Sequence, residues 1–307
     1  MRAIDAAPAA RHSASAMAAP RTPAQTIALL KRETRLREGR VPPTIGDHPL
    51  RRDSHIFGGG QFGLRTDSGY AFHYVPGEGV TIERAVHADP AEQELWLNGS
   101  VYAAIACLNG LYPLHASAVA HDGRVHAFTG PSGAGKSTLV AGLGQRGLPL
   151  FCDDTMLLDL SDPDHVIALP GHKRLKLTDA SLALTGAKPQ APVGAGVDKS
   201  YALPPGGAIG EPLPLAQLVF LETIAAARFE PLRGAERFAR LGDDHYTQDF
   251  YAIARRPTQA DLFALRARLA RQVAMARLAR PISAEGFAIS LDLAESAVRS
   301  FGGENAV

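Results

Sequence analysis

The most informative segment of this chain is Gly130-Pro131-Ser132-Gly133-Ala134-Gly135-Lys136-Ser137-Thr138. It matches the phosphate-loop (P-loop) pattern G-x-x-x-x-G-K-[ST] at every fixed position. The apolar run Val125–Thr129 precedes it and a helical pattern, Lys136–Gln145, follows it. Glycines let main-chain N–H groups approach phosphate oxygens, and the N-terminus of the following helix attracts the same anion. The segment therefore predicts a nucleotide site that all nine residues form, with Lys136 on the β- and γ-phosphates and Ser137 on Mg²⁺.

Two adjacent acids, Asp153 and Asp154, follow the apolar run Leu148–Cys152. Neighbouring strand residues face opposite sides, so one carboxylate can hold a metal while the other faces the acceptor as a base. Both would lie at the carboxyl end of a strand, where open α/β sheets bind ligands. The alternative is a turn or helix cap before Thr155.

His115 begins the first of two strands, Leu114–Ala120 and Val125–Thr129, which the turn His121-Asp122-Gly123-Arg124 joins. Asp-Gly between two apolar runs predicts a tight hairpin. The start of its first strand lies beside the end of its second, so we expect His115 to lie level with the P-loop. A lone histidine is more often structural than functional, and only its position beside the P-loop makes His115 a candidate site residue.

Composition excludes several classes of protein. The 307 residues are 46 % hydrophobic and 21 % charged, which is typical of a globular protein. Basic and acidic residues number 32 and 31, so the net charge of +1 points to neither a nucleic-acid partner nor an anionic membrane. No charge-free apolar run reaches the roughly 18 residues of a bilayer span. The two cysteines cannot form a disulfide framework, and we expect a cytoplasmic protein.

The pattern along the chain predicts three parts: a disordered tail over 1–25, a small α+β domain over 26–112 and a catalytic domain over 113–307. Within the second part we expect a helix over Thr26–Arg40, strands between Ile56 and Arg84, and a helix over Pro90–Tyr112. In the third part, Gly186–Gly210 is rich in Gly, Pro and Ala and is expected to be a mobile loop.

His115, the P-loop and the pair Asp153-Asp154 occur in the order and spacing of a known family. They resemble the C-terminal catalytic domain of bacterial HPr kinase/phosphorylase. The stretch from Leu111 to Arg124 is more similar to the HPr-kinase-related proteins of lasso-peptide gene clusters. The resemblance implies an α/β fold with a mixed sheet and flanking helices, like the nucleotide core of phosphoenolpyruvate carboxykinase, plus a small β-containing N-terminal region.

The resemblance also implies roles for individual residues. Asp153 would be the general base on a seryl hydroxyl, His115 would orient it, and Asp154 and Ser137 would hold Mg²⁺. Downstream, Asp179 is a candidate acidic metal residue, and Arg174 and Lys199 are candidate nucleotide-binding groups. The stretch His172-Lys173-Arg174-Leu175-Lys176 departs from the signature of the bifunctional enzyme, which argues against phosphorylase activity and against HPr as the substrate.

The expected activity is that of an ATP- and Mg²⁺-dependent kinase acting on a serine of a peptide or protein, with a lasso-type precursor peptide implied by the resemblance. Two alternatives stay open: a small-molecule kinase on the same core, and a nucleotide-sensing module without transfer. The basic residues Lys173, Arg174, Lys176 and Lys199 could neutralise the transferring group or hold an acidic peptide, or form a solvated face. The sequence does not decide whether the chain forms a homo-oligomer.

Overall fold

The structure, a computed structural model, describes residues 4–6, 20–194, 196–242 and 246–302. The helices are α1 Pro23–Glu33, α2 Pro90–Trp96, α3 Tyr102–Leu108, α4 Lys136–Gln145, α5 Asp179–Thr185, α6 Ala235–Arg240, α7 Tyr246–Arg255, α8 Gln259–Gln272 and α9 Ala284–Arg299. The strands are β1 Ile4–Ala6, β2 Leu36–Glu38, β3 Thr44–Ile45, β4 His48–Pro49, β5 Ser54–Gly58, β6 Gln61–Arg65, β7 Tyr70–Val75, β8 Gly79–Arg84, β9 Tyr112–His121, β10 Arg124–Thr129, β11 Leu150–Cys152, β12 Thr155–Asp159, β13 Ile167–Leu169, β14 Leu175–Leu177, β15 Pro189–Pro192, β16 Ser200–Ala202, β17 Leu213–Thr223, β18 Arg228–Pro231 and β19 Ala274–Arg280.

The largest sheet is mixed, and it brings three strand ends to one edge. β10 pairs in parallel with β17, and β17 pairs in parallel with β19. β9 is antiparallel to β10, as the Asp-Gly turn predicts, while β11, β12, β13 and β18 complete the sheet with antiparallel pairs. Since parallel strands end at the same edge, the segments that follow Thr129, Thr223 and Arg280 lie side by side.

Both faces of this sheet are covered by apolar side chains. On one face, alternate residues of β9 pack with Leu269 of α8 and with Leu241. On the other face, Leu139 and Leu143 of α4 pack with Leu291 and Val298 of α9. Helices on both faces of a buried sheet form the layered α/β arrangement that the resemblance implies.

A second sheet has the strand order β1-β5-β6-β7-β8-β2 and contains the predicted meander. Its aromatic residues, among them Phe62 and Phe72, pack against Ile105 of α3 and Phe250 of α7. A π-helical turn, Leu97–Val101, joins α2 to α3 within the segment predicted as one helix over Pro90–Tyr112. The helical segment ends at Leu108, and Tyr112 already belongs to β9.

The helix predicted over Thr26–Arg40 is shorter and starts earlier. Thr22 and Gln25 form a reciprocal capping box, with Pro23 in the first turn, so the helix begins at Pro23. It ends at Glu33 because residues Leu36–Glu38 pair in parallel with β8 instead. The backbone hydrogen bonds of the sheet replace those of the helix.

The expectation of a mobile loop over Gly186–Gly210 is wrong. Within it, β15 and β16 form a three-stranded sheet with β14. Tyr201 and Ala202 of β16 are buried, and Ala202 lies in the same apolar cluster as Leu175 and Leu177 of β14. Composition concealed this because Gly and Pro dominate the connections on either side of β16.

The predicted fold class, a mixed α/β fold with a P-loop core and a β-containing N-terminal region, is confirmed. The tail predicted over 1–25 falls largely on residues outside the described ones, and the domain boundaries at 26 and 113 stay predictions. None of the helices in the described part of the chain is long and apolar enough to cross a membrane.

We predict that Tyr74→Phe destabilises the protein. The buried Tyr74 hydroxyl donates to Glu33 Oε2 and accepts from Asn109 Nδ2, each at 2.8 Å. Its removal leaves buried polar atoms unsatisfied, so the free energy of unfolding should fall by about 1–3 kcal/mol. Urea unfolding measures the change.

Tyr201→Phe is the matched control for that prediction. The Tyr201 hydroxyl is also buried, but no residue of the described ranges hydrogen-bonds to it. Its loss should leave the unfolding midpoint unchanged or raise it. Equal losses in the two variants would contradict the explanation.

Candidate active site

The P-loop leaves the carboxyl end of β10 and continues directly into α4. Gly130 and Gly135 have φ values of 153° and 83°, a region that disfavours residues with a Cβ. At Gly135 a Cβ would also lie 2.4 Å from Arg280 Nη2. The first turn of α4 leaves N–H groups without helical partners, and Pro131, Ser132 and Gly133 are exposed. The loop has the geometry of an anion site.

Lys136 is 6 % exposed and lies across this loop. Its Nζ donates to the carbonyl oxygens of Gly130 and Pro131, at 2.9 and 3.1 Å. Burial lowers the pKa of its ammonium to about 8, although Asp153 and Asp154 oppose the shift. A bound phosphate would raise the pKa of this lysine again, because a nearby negative charge favours the protonated ammonium.

Asp153 connects three elements through its carboxylate. Its Oδ1 accepts hydrogen bonds from Ser137 Oγ at 2.8 Å and from Ser117 Oγ of β9 at 2.6 Å. Its Oδ2 accepts from the main-chain N–H of Lys176, at 3.0 Å. The side chain is buried. Its contact with Ser137 places it at the start of α4, beside the P-loop.

Asp154 faces another group of residues. Its φ of +74° lies in the left-handed region, which aspartate tolerates better than most residues. Its Oδ2 accepts from Lys176 Nζ at 2.8 Å, and its Oδ1 lies 3.5 Å from His115 Nδ1. Burial would raise the pKa of the Asp154 carboxyl, but the charge of Lys176 and its hydrogen bond outweigh burial and lower the pKa. Asp154 is therefore ionised.

His115 lies level with the P-loop, as the hairpin predicts, since its carbonyl accepts from Thr129 Oγ1 at 3.0 Å. Its Nδ1 lies 2.9 Å from the carbonyl oxygen of Asp154. Burial, reinforced by the charge of Lys136, lowers its pKa to about 4, so the ring is neutral at pH 7. A carbonyl only accepts, so the proton belongs on Nδ1 and the lone pair on Nε2. His115 thus orients Asp154, whereas the resemblance implied Asp153.

The downstream candidates separate into two groups. The exposed Lys199 lies near enough to lower the pKa of both Lys136 and Asp154 by its charge. Arg174 instead pairs with Glu94 of α2 and stacks on the ring of Tyr201, 4.2 Å away.

Two more candidates lie beside α5. Asp179 is exposed in the first turn of that helix. The hydroxyl of Thr138 contacts Ser181 Oγ at 2.8 Å, on the same helix. No contact in the described part of the chain links Asp179 to the two aspartates.

Two residues of the site, Ser117 and Arg280, were not predicted from the sequence. Ser117 lies two positions after His115 on β9, so the strand period places both side chains on one face. Arg280 ends β19, and its Nη2 donates to the carbonyls of Ala134 and Gly135, at 2.8 and 3.3 Å. Only the sheet topology, with β19 parallel to β17 and β17 parallel to β10, brings Arg280 to the edge that carries the P-loop.

A cleft of ≈ 500 Å³, open to solvent, adjoins the outer side of the loop. Apolar side chains and an ion pair between Arg240 and Glu222 line it, and Ile282 at its rim is exposed. Its walls are Gly130–Ala134, Phe220–Thr223, Arg240 and Ile282. The loop thus separates a cleft lined by apolar side chains and one ion pair from the side that carries Asp153, Asp154 and His115.

The oxygen atoms of Ser137 and Asp153 suit a magnesium ion. Mg²⁺ prefers hard oxygen ligands and is usually held by one or two carboxylates together with substrate phosphates and water. The described residues contain no group of three or more His, Cys, Asp or Glu side chains that could hold a metal by themselves.

No protein-family model matches the chain, and no characterised protein matches it by sequence. Among solved structures, it is similar to the Hpr(Ser) kinase/phosphatase from Coxiella burnetii. The similarity covers 62 % of this chain and 99 % of that one, with 12 % sequence identity and a TM-score of 0.31. At this low TM-score the similarity assigns no role to any residue, so residue roles are inferred from the contacts within this protein.

We predict that affinity for ATP falls as the pH rises above about 8. Above that pH, Lys136 of the ligand-free protein loses its proton, whereas binding of the ATP phosphates requires the protonated ammonium. The dissociation constant for ATP should therefore rise by up to about tenfold per pH unit. Calorimetry without Mg²⁺ measures both the affinity and the proton uptake.

Two variants check the assignment of that proton. Lys136→Met should bind ATP weakly and without this pH dependence. Lys173→Met removes another lysine whose pKa burial lowers to about 8, but its Nζ contacts the Phe151 carbonyl, so the dependence should persist. Loss of the dependence in Lys173→Met would refute the role of Lys136.

Proposed function

We propose that this protein is an ATP- and Mg²⁺-dependent kinase that transfers the γ-phosphate to a seryl hydroxyl of a peptide or protein. The observation that carries the proposal is the 2.8 Å contact between Ser137 of the P-loop and Asp153, with Asp154 and His115 directly beside them. A phosphate site that adjoins two carboxylates can bind the donor and accept the proton of an alcohol.

The loop supplies the donor site. Main-chain N–H groups around Gly133 and the first turn of α4 would bind the β- and γ-phosphates, with the ammonium of Lys136 between them. Lys199, exposed and close to Lys136, adds a second cation on the same side. The adjoining cleft is large enough for a nucleoside, and its apolar walls suit a base better than a charged acceptor.

Ser137 and Asp153 would hold Mg²⁺. When bound, the ion neutralises negative charge on the transferring phosphate. The side chains of Ser137 and Asp153 are already in contact in the ligand-free protein, so they need to move little to bind the same ion. This pairing differs from the one that the resemblance implies, in which Asp154 accompanies Ser137.

Asp154 is then the carboxylate that faces the acceptor. The seryl Oγ forms a bond to the γ-phosphorus, the bond from that phosphorus to the β–γ bridging oxygen breaks, ADP leaves, and the seryl proton passes to the carboxylate. His115 holds Asp154 in place through its Nδ1–H, and Lys176 keeps that carboxylate ionised. The contacts favour this division, while the resemblance favours Asp153 as the base.

A lasso-type precursor peptide is the acceptor that the resemblance favours. Its support is the similarity of the stretch Leu111–Arg124 to the kinases of lasso-peptide gene clusters. Transfer of labelled phosphate from ATP to seryl peptides, compared with free serine, separates a peptide kinase from a small-molecule kinase. ATP binding without transfer to either would identify a nucleotide-sensing module and refute the kinase.

Asn variants of the two aspartates decide between the two divisions of roles. Asp154→Asn should lower kcat about 100-fold or more and leave the Mg²⁺ concentration for half-maximal rate unchanged, because it removes a base. Asp153→Asn should raise that Mg²⁺ concentration, because it removes a metal ligand. Initial rates of peptide phosphorylation across an Mg²⁺ titration measure both. The reversed pattern would support the assignment that the resemblance implies.

The position of the nucleoside is tested by Ile282→Glu. Ile282 is 71 % exposed at the rim of the cleft, so the substitution should not affect folding. A carboxylate there should weaken ATP binding severalfold but leave the binding of tripolyphosphate, which has no nucleoside, nearly unchanged. Equal weakening of both ligands would show that the nucleoside does not enter this cleft.

A further inference from the structure

Arg280 is a buried cation next to the P-loop, and no carboxylate of the described residues pairs with it. Its side chain ends β19 and is 6 % exposed. In residues 20–194, 196–242 and 246–302, its described contacts are two main-chain carbonyls, those of Ala134 and Gly135, and no acidic side chain. Burial lowers the pKa of its guanidinium.

Such a group is costly in the ligand-free protein. Arginine is seldom fully buried without a paired anion, because removing its charge from water is expensive. Two neutral carbonyls compensate less than a carboxylate would. The missing negative charge has an obvious source, since the proposed phosphate site lies on the opposite side of the same loop.

The two carbonyls also determine what Arg280 does to the loop. They belong to the peptide groups whose N–H atoms are on Gly135 and Lys136. The C=O and N–H of a trans peptide point in opposite directions, so a donor on the carbonyls turns the N–H groups away from Arg280 and toward the loop interior. Hydrogen bonding at the carbonyl also polarises the amide and strengthens its N–H as a donor.

Gly135 shows how close this contact is. Its φ of 83° already favours glycine, and an added Cβ would lie 2.4 Å from Arg280 Nη2. The glycine before Lys136 therefore provides both the left-handed backbone and the space that the guanidinium occupies. Arg280 and the loop fit each other as one unit.

We infer that Arg280 is a positioning residue for the nucleotide: it orients the N–H groups of Gly135 and Lys136 toward the phosphates and supplies a buried positive charge that bound phosphate balances. The inference rests on the ATP-binding part of the proposed function and does not depend on the acceptor or on transfer.

The experiment compares Arg280→Met with Arg268→Met. Arg268 is the matched control because it also donates to main-chain carbonyls, those of Leu160, Asp162 and His165, but on a turn remote from the P-loop. Calorimetry with Mg²⁺ and ATP gives the dissociation constant, and urea unfolding of the ligand-free proteins gives the stability.

Arg280→Met should raise the dissociation constant for ATP about tenfold or more, while the unfolding midpoint of the ligand-free protein stays equal or rises. Arg280→Lys keeps the charge but lacks the planar guanidinium, so its dissociation constant for ATP should lie between those of wild type and Arg280→Met. Arg268→Met should show the converse: a lower unfolding midpoint and ATP affinity within twofold of wild type.

A dissociation constant for Arg280→Met within twofold of wild type would overturn the inference. So would a loss of stability like that of Arg268→Met, because Arg280 would then be a structural clamp. Wild-type protein that binds ATP without transferring phosphate would refute the kinase proposal alone. Wild-type protein that binds no ATP would refute both.

Discussion

The arrangement of this site depends on the carboxylate of Asp153. Its two oxygens accept from Ser137 at the start of α4, from Ser117 on β9 and from the main chain of β14. These three elements belong to different parts of the chain, and each buries apolar side chains elsewhere. A buried carboxylate must find such donors, because an unsatisfied charge in the core is expensive. These hydrogen bonds therefore hold the P-loop, the hairpin of β9 and β10, and the sheet of β14, β15 and β16 in a fixed arrangement.

The parallel pairing of β10, β17 and β19 supplies the second constraint. It places the P-loop, the rim of the adjoining cleft and Arg280 at one edge of the sheet. The two sides of the loop then differ: Asp154, His115 and Lys176 lie on one side, and a cleft lined by apolar side chains and the Arg240–Glu222 ion pair lies on the other. In the proposed kinase, that difference would give the nucleotide and the acceptor separate approaches to the same phosphate.

Much of the core could be predicted from local patterns. The P-loop, the hairpin before it and α4 follow from glycine placement, the Asp-Gly turn and apolar periodicity, all of which act over a few residues. The level position of His115 followed from hairpin geometry alone. The three-stranded sheet of β14, β15 and β16 could not be predicted in this way. Its strand β14 lies outside Gly186–Gly210, and Ala202 is buried against residues of α4 and other distant segments.

What the amino-acid order settled is the chemistry available: a phosphate-binding loop, one lysine within it, and a pair of aspartates at the end of a strand. Folding decided which of these groups meet. His115 contacts Asp154, Arg174 pairs with Glu94, and Arg280 reaches the loop from the far end of the chain. Short-range steric and hydrogen-bonding preferences act along the chain, whereas contacts between distant segments depend on strand order and burial, which the whole core sets together.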